Sequence, residues 1–220
     1  MIKFDHTRKA RIGLPESVFC EHKSAAMVDE IITQLVENTA HPTLFTRLDE
    51  AKFAALDPAL ATHLDYHPLS RTAFLNGVHD DQGPGRIAII TAGTSDLPVA
   101  WEALRTLEHL GLQSTLIPDV GVAGLWRLQE RLKEINAHQV IIALAGMDGA
   151  MISVIAGLTS RPVIGVPTSV GYGVSAQGMT ALNSMLASCS PGVVVVNIDN
   201  GYGAACAASR VLRGVSHVPQ

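Results

Sequence analysis

A chain of 220 residues that is 47% apolar, 16% charged and 5% aromatic, with 16 basic against 20 acidic side chains for a net charge of −4, fits one large domain or a small one ahead of a medium one. That balance excludes a disordered chain and argues against a nucleic-acid binder, which would show a basic surplus and aromatic stacking platforms. Charge falls below the ~25% of an average soluble domain while the apolar share stays within the usual ~45–50%, as expected if much of the surface is buried against other subunits.

Met1 to His6 lack the apolar stretch of a signal peptide. No run of ~18 apolar residues occurs, because Asp148, Arg161 and several glycines interrupt residues 140–167. A soluble, cytoplasmic protein is expected. Residues 23–38 place Met27, Val28, Ile31, Ile32 and Leu35 at helical intervals, which predicts an amphipathic helix. Residues 42–46 read as a short strand and 50–56 as a second helix, in a segment dense in Arg8, Lys9, Arg11, Lys23, Arg47 and Arg71. NGVHDDQGPG at 76–85 has the turn-forming composition of a linker or exposed loop. It divides the chain into an N-terminal α+β segment, 1–80, and a domain, 81–220.

Beyond it the pattern changes. Strands are predicted at 86–91, 114–118, 139–145, 162–166 and 192–198. Helices are predicted at 98–110, 121–135, 149–158 and 180–188, with a last one from about Gly203. Continuous β-branched runs alternating with helices imply parallel strands covered on both faces, hence an α/β doubly wound parallel sheet. Ligands in such sheets sit at the carboxyl ends of the strands.

Those ends carry a repeated composition. Gly93, Thr94, Ser95 and Asp96 follow the first strand, where glycine admits a close ligand and hydroxyls with free amides at a helix N-terminus suit a phosphate. The loop is neither a Walker loop nor a GxGxxG fingerprint, and Asp96 reads equally as a helix N-cap. Asp119, Gly121 and Val122 follow the second strand, Gly146, Met147 and Asp148 the third, Ser169 and Gly171 the fourth, and Asn200 the fifth. Five such loops at one edge make a pocket.

Cys20, Cys189 and Cys206 are three cysteines at wide spacings, which indicate neither a disulfide framework nor a zinc site. Cys206, flanked by alanines, reads as helix packing, and Cys20, beside Glu21, His22 and Lys23, is a minor candidate for chemistry. His41, His63, His67, His79, His109, His138 and His217 show no pairing pattern and read as surface or capping groups. Substrate phosphates could recruit Mg²⁺ through Asp96 or Asp119, but no dedicated metal cage is present in the sequence.

The ordered set AGTSDLPVA, PDVGVAGL, AGMDGA, VIGVPTSVGYG, SCSPG and NIDNGYG resembles the LarB family, the pyridinium-3,5-biscarboxylic acid mononucleotide synthases of nickel-pincer cofactor assembly, relatives of the PurE aminoimidazole ribonucleotide carboxylases. The likeness spans residues 86–215 and continues upstream in DHTRKARIGLPE, at Arg47 and at Arg71. It implies a PurE-like fold and a homo-oligomer, with an octamer expected. The small-residue helices at 149–158 and 203–209 also permit close helix packing between copies.

The resemblance further implies a small-molecule substrate, nicotinic acid adenine dinucleotide, with CO2 or bicarbonate as co-substrate, AMP as a product and no tightly bound cofactor. Cys189 occupies the cysteine of the family motif. Its thiolate is expected to add to the pyridinium ring, so that the resulting enamine carbon C5 attacks CO2. Asp148 stands where the family has glutamate, the carboxylate expected to take the C5 proton. Trp126 replaces a histidine, and Met151 and Ile152 replace leucine and proline. Two rival readings remain: a PurE-type carboxylase or mutase, whose Ser-Ala-His-Arg segment is absent here, and a nucleotide-binding protein without turnover.

Overall fold

In the computed structural model, residues 3–37, 42–78 and 86–216 are described. The chain falls into two units, Met1–Asp81 with Glu108–Gly111, and Gln82–Leu107 with Leu112–Gln220. Most of the predicted linker, residues 79–85, lies outside the described residues.

The first unit contains α1 (Arg8–Ile12), β1 (Val18–Phe19), α2 (Ala25–Val36), β2 (Thr43–Thr46), α3 (Glu50–Ala54), α4 (Pro58–Ala61), β3 (Leu64–His67) and β4 (Thr72–Leu75). Its sheet runs β1-β2-β4-β3, with β1 parallel to β2 and the other pairs antiparallel. Side-chain oxygens of Ser24, Asp49 and Asp57 satisfy the first free amides of α2, α3 and α4, each cap worth about 1 kcal/mol. Val28, Ile31, Ile32 and Leu35 of α2 are buried against Phe45, Leu64 and Leu75. Met27, expected on that stripe, is instead exposed, because the apolar arc is narrower than the periodicity alone implies. The sequence reading missed α1, α4, β1, β3 and β4. These elements of two to five residues are too short to display a period.

The second unit contains β5 (Ile87–Thr91), α5 (Leu97–His109), β6 (Ser114–Ile117), α6 (Leu125–Asn136), β7 (Val140–Ala145), α7 (Ala150–Ala156), β8 (Val163–Pro167), α8 (Met179–Leu186), β9 (Val193–Val195) and α9 (Gly201–Ser216). All five strands are parallel, in the order β6-β5-β7-β8-β9. Strand side chains alternate between faces, so each strand feeds two cores. Ala88, Ile90, Ile141 and Ala143 pack with Leu128, Ile152 and Met185 from α6, α7 and α8. Ile87, Ile89, Ile142 and Leu144 pack on the opposite face with Leu107, Ala204 and Ala208 from α5 and α9. This is the expected α/β doubly wound parallel sheet, the first unit being the smaller α+β partner.

Two elements differ from the sequence reading by more than two residues at a boundary. The helix expected from Gly121 begins as a 3-10 turn, Val122–Gly124, and becomes α6 only at Leu125, while the last strand is only Val193–Val195. Among the described residues no helix is long and apolar enough to cross a membrane.

Candidate functional site

A cavity of about 250 Å³ opens at the carboxyl edge of the five-stranded sheet. Among its lining residues are Gly93, Ser95, Asp96, Gly121, Val122, Gly146, Met147 and Asp148, eight of the positions singled out in the sequence. The loops after β5, β6 and β7, with Val170 from the loop after β8, therefore converge, whereas the loop after β9, the fifth in the sequence reading, contributes no lining residue.

The edge is stitched by hydrogen bonds across strands. Thr91, the last residue of β5, accepts at Oγ1 from the Asp119 amide at 3.2 Å and at its carbonyl from the Val120 amide at 2.9 Å. Asp96 is only 3% exposed. One of its carboxylate oxygens accepts from the Gly93 amide at 2.9 Å and the other from the Thr168 hydroxyl at 2.5 Å, so a single side chain joins the ends of β5 and β8. Burial raises the Asp96 pKa above the usual carboxyl value, against the hydrogen bonds from Thr168, Gly93 and Gly146 that lower it. Asp96 thus ties Gly93 and Thr168 together, standing at the third position of the short 3-10 turn with Gly93 as its N-cap, and it also lines the cavity.

Close backbone approach explains the glycines. A Cβ on Gly121 would stand 2.5 Å from the Ala92 carbonyl oxygen, and one on Gly146 would stand 2.2 Å from that of Val170. Asp119, Met147 and Asp199 turn the chain away from β6, β7 and β9 in the left-handed region, with φ of 58°, 54° and 54°. That conformation costs a non-glycine residue roughly 1–2 kcal/mol. It is held here by hydrogen bonds, such as the Met147 amide to the Val170 carbonyl at 2.7 Å and the Asp199 amide to the Pro167 carbonyl at 2.9 Å.

Asp148 is exposed in the cavity wall, and its carboxylate accepts from the Ala150 amide at 3.1 Å at the start of α7. Thr94 is exposed beside the cavity rather than in its lining. Ser169, Gly171 and Asn200 also stand outside the lining. The Ser169 amide donates to Asp199 at 2.8 Å, Gly171 makes a turn at φ 152° against Ser175, and Asn200 caps α9 through the Gly203 amide at 2.8 Å. Arg47 and Arg71 belong to the first unit, where both are left-handed, at φ 56° and 52°, and Arg47 lies 3.8 Å from Glu21.

The cysteines separate clearly. Cys20 is fully buried, not in the polar setting its neighbours implied, and burial pushes its thiol up to about 12, which removes it as a nucleophile near neutral pH. Cys206 is half-buried on α9. Cys189 is exposed in the loop between α8 and β9. That loop precedes its strand and so lies at the amino edge, and Cys189 is not among the cavity-lining residues. Ser188 bonds the Ser153 hydroxyl at 2.7 Å and Ser190 donates to the Ser153 carbonyl at 2.8 Å, fixing the loop on α7 on both sides of the thiol.

His109 is fully buried, which corrects the surface reading, whereas His138 is buried but caps the end of α6 at the Glu134 carbonyl, 3.0 Å away, with the Thr115 hydroxyl at 2.9 Å. His41, His79 and His217 lie outside the described residues. Among the described residues no group of three or more His, Cys, Asp or Glu side chains could hold a metal ion. Sequence reasoning missed Arg127, which lines the cavity and donates to Asp119 at 2.5 Å. The available signal was a cation in the first turn of a helix, where the dipole disfavours it unless an acid stands nearby.

A family model described as AIR carboxylase matches residues 86–217, and one described as LarB/PurE-like N-terminal domain matches residues 1–77. An uncharacterized protein of Methanocaldococcus jannaschii is 40% identical over 223 residues, covering 96% of this chain and 84% of its own length. The N5-carboxyaminoimidazole ribonucleotide mutases of Methanocaldococcus jannaschii and Pyrococcus horikoshii are each 35% identical over 57% of this chain, and over 78% and 71% of their own.

Proposed function

The chain belongs to the LarB/PurE-related family, an AIR carboxylase-type enzyme family, and from that premise we propose that it is a cytoplasmic pyridinium carboxylase. Its substrates are nicotinic acid adenine dinucleotide and CO2. Its products are pyridinium-3,5-biscarboxylic acid mononucleotide and AMP, on the route to a nickel-pincer cofactor. The observation that carries this reading is the pairing of a LarB-type N-terminal domain with the carboxylase-like domain. The mutases just named align with only 57% of the chain.

The chemistry divides between residues. The Cys189 thiolate adds to C4 of the pyridinium ring and converts it to a dihydropyridine. Its enamine carbon C5 forms a C–C bond to CO2, and the Asp148 carboxylate takes the C5 proton. Expulsion of the thiolate then restores aromaticity. Separately, water cleaves the phosphoanhydride and releases AMP. Sulfur suits this sequence because it both attacks and leaves well.

Asp148 and Cys189 occupy opposite edges of one sheet, so the thiol serves a ligand held in the cavity of another copy of the chain, in the expected octamer. The exposure of Trp126 at 60%, Tyr172 at 78% and Val174 at 93% supports such association. Arg47 and Arg71 are assigned to the dinucleotide as well, and Mg²⁺ could assist at its phosphates. The mutase reading draws on the relatives, but residues 118–122 read Pro-Asp-Val-Gly-Val in place of the Ser-Ala-His-Arg segment. Incubation with the dinucleotide and bicarbonate tests the proposal. AMP together with a pyridine mononucleotide heavier by one added carboxyl group is expected. Turnover of an aminoimidazole ribonucleotide instead would establish the mutase reading.

A further inference from the structure

Among the described residues that line the cavity, Arg127 is the only cation. It sits in the first turn of α6, on the unfavourable end of the helix dipole. Three features nevertheless fit it there. Asp119 lies 2.5 Å from Nη1. The Asp119 amide is fixed by the Thr91 hydroxyl at 3.2 Å, which sets the left-handed turn that aims the carboxylate. A Cβ at Gly124 would stand 2.8 Å from Nε and 3.3 Å from Nη2, so the missing side chain is what lets the guanidinium pack this closely on the start of α6. Nε itself is buried and has no hydrogen-bond partner among the described residues.

A guanidinium is a planar fork of five donors that matches an oxyanion through two parallel bonds, and Asp119 engages Nη1. The Asp119 contact leaves the buried Nε and the rest of the fork's donors unused among the described residues. We propose that Arg127 receives the substrate's phosphate on the side of the cavity built by the β6 loop, while Ser95 and the amides of the β5 loop line the other side. Asp119 is a positioning residue that holds the fork. The inference rests on the functional reading only in that the ligand is a phosphate-bearing nucleotide; it requires no carboxylation.

Calorimetric titration with nicotinic acid mononucleotide and with its riboside, which lacks the phosphate, tests it. Arg127→Met is expected to weaken the mononucleotide by about 10- to 100-fold, the size of a lost charged hydrogen bond, and to leave the riboside unchanged. Arg127→Lys should recover part of the loss, since an ammonium keeps the charge without the fork. Asp119→Asn should lower the mononucleotide-to-riboside ratio, a selectivity that a merely structural role would not move, and Asp119→Glu should restore part of it. Unchanged mononucleotide affinity in folded Arg127→Met, or equal loss of both ligands, overturns the assignment. A wild type that discriminates through Arg127 yet forms no carboxylated product removes the carboxylase reading and keeps Arg127. Full carboxylation by Arg127→Met does the reverse.

Discussion

At the carboxyl edge of the five-stranded sheet, glycines without room for a side chain, three left-handed non-glycine residues and a carboxylate at 3% exposure hold the loops around one cavity. At the amino edge, the loop before β9 is tied down by Ser153, Ser188 and Ser190 and leaves Cys189 in solvent. The first edge holds a cavity of fixed shape, and the second presents an exposed thiol on a tied-down loop outside that cavity's lining. In the proposed reading binding and nucleophile stand on separate surfaces, and each is expected to be removable without the other.

The largest effect should come from the amino edge. Cys189→Ser is expected to lower carboxylation by at least about 10³-fold, because a serine hydroxyl has a far higher pKa and leaves poorly. Dinucleotide affinity, measured in the same preparation, should stay at the wild-type value. Simultaneous loss of both would break the separation of the two edges.

Asp148→Asn should follow, at roughly 10²-fold or more, since an amide cannot accept the C5 proton. A thiol adduct should still form in that variant and be seen by mass spectrometry. Asp148→Glu is expected to keep or raise the rate, because the family's longer carboxylate reaches further; a misplacement of ~1 Å can cost ~10²-fold.

A pair of glycine replacements compares the edges by stability alone. Gly146→Ala puts a methyl group against the Val170 carbonyl and the Thr168 hydroxyl, for about 1–3 kcal/mol of overpacking. Gly192→Ala, beside the cysteine loop, meets nothing within 4 Å and bears only the strain of φ 84°, about 1 kcal/mol. Denaturant midpoints should rank them in that order, and only Gly146→Ala should weaken the ligand.

The smallest effect is a pH dependence. Burial raises the Asp96 pKa, so the neutral acid is favoured in the fold. The stability it supplies is fully present below the ordinary carboxyl range and is lost as pH rises through the raised pKa. The stability difference between wild type and Asp96→Asn should therefore shrink or change sign as pH rises across that window. A difference that does not vary with pH would show that Asp96 titrates normally.

The strands were legible where burial on both faces makes the sequence continuously apolar, as in β7, whose six residues are all buried. The strand-end loops were legible because glycine beside an acid or hydroxyl recurs after each strand. Elements such as β3, with Asp65 exposed between Leu64 and Tyr66, carry too few residues to declare a period. Arg127 was legible only as a cation in the first turn of a helix; its place beside Asp119 depends on a left-handed turn eight residues earlier that a sequence of ordinary residues does not announce. Cys189 could be singled out through the family motif, whereas its exposure and its distance from the cavity edge come from the order of α8, loop and β9.

The claim at the centre of this account is that the exposed thiol of the amino edge, and no other, attacks the pyridinium ring. Incubating the wild-type protein with the dinucleotide, followed by intact-mass analysis and peptide mapping, measures it directly. A pyridine adduct mapping to Cys189, absent from Cys189→Ser, is the predicted result. An adduct on Cys20 or Cys206, or undiminished turnover in Cys189→Ser, would contradict it.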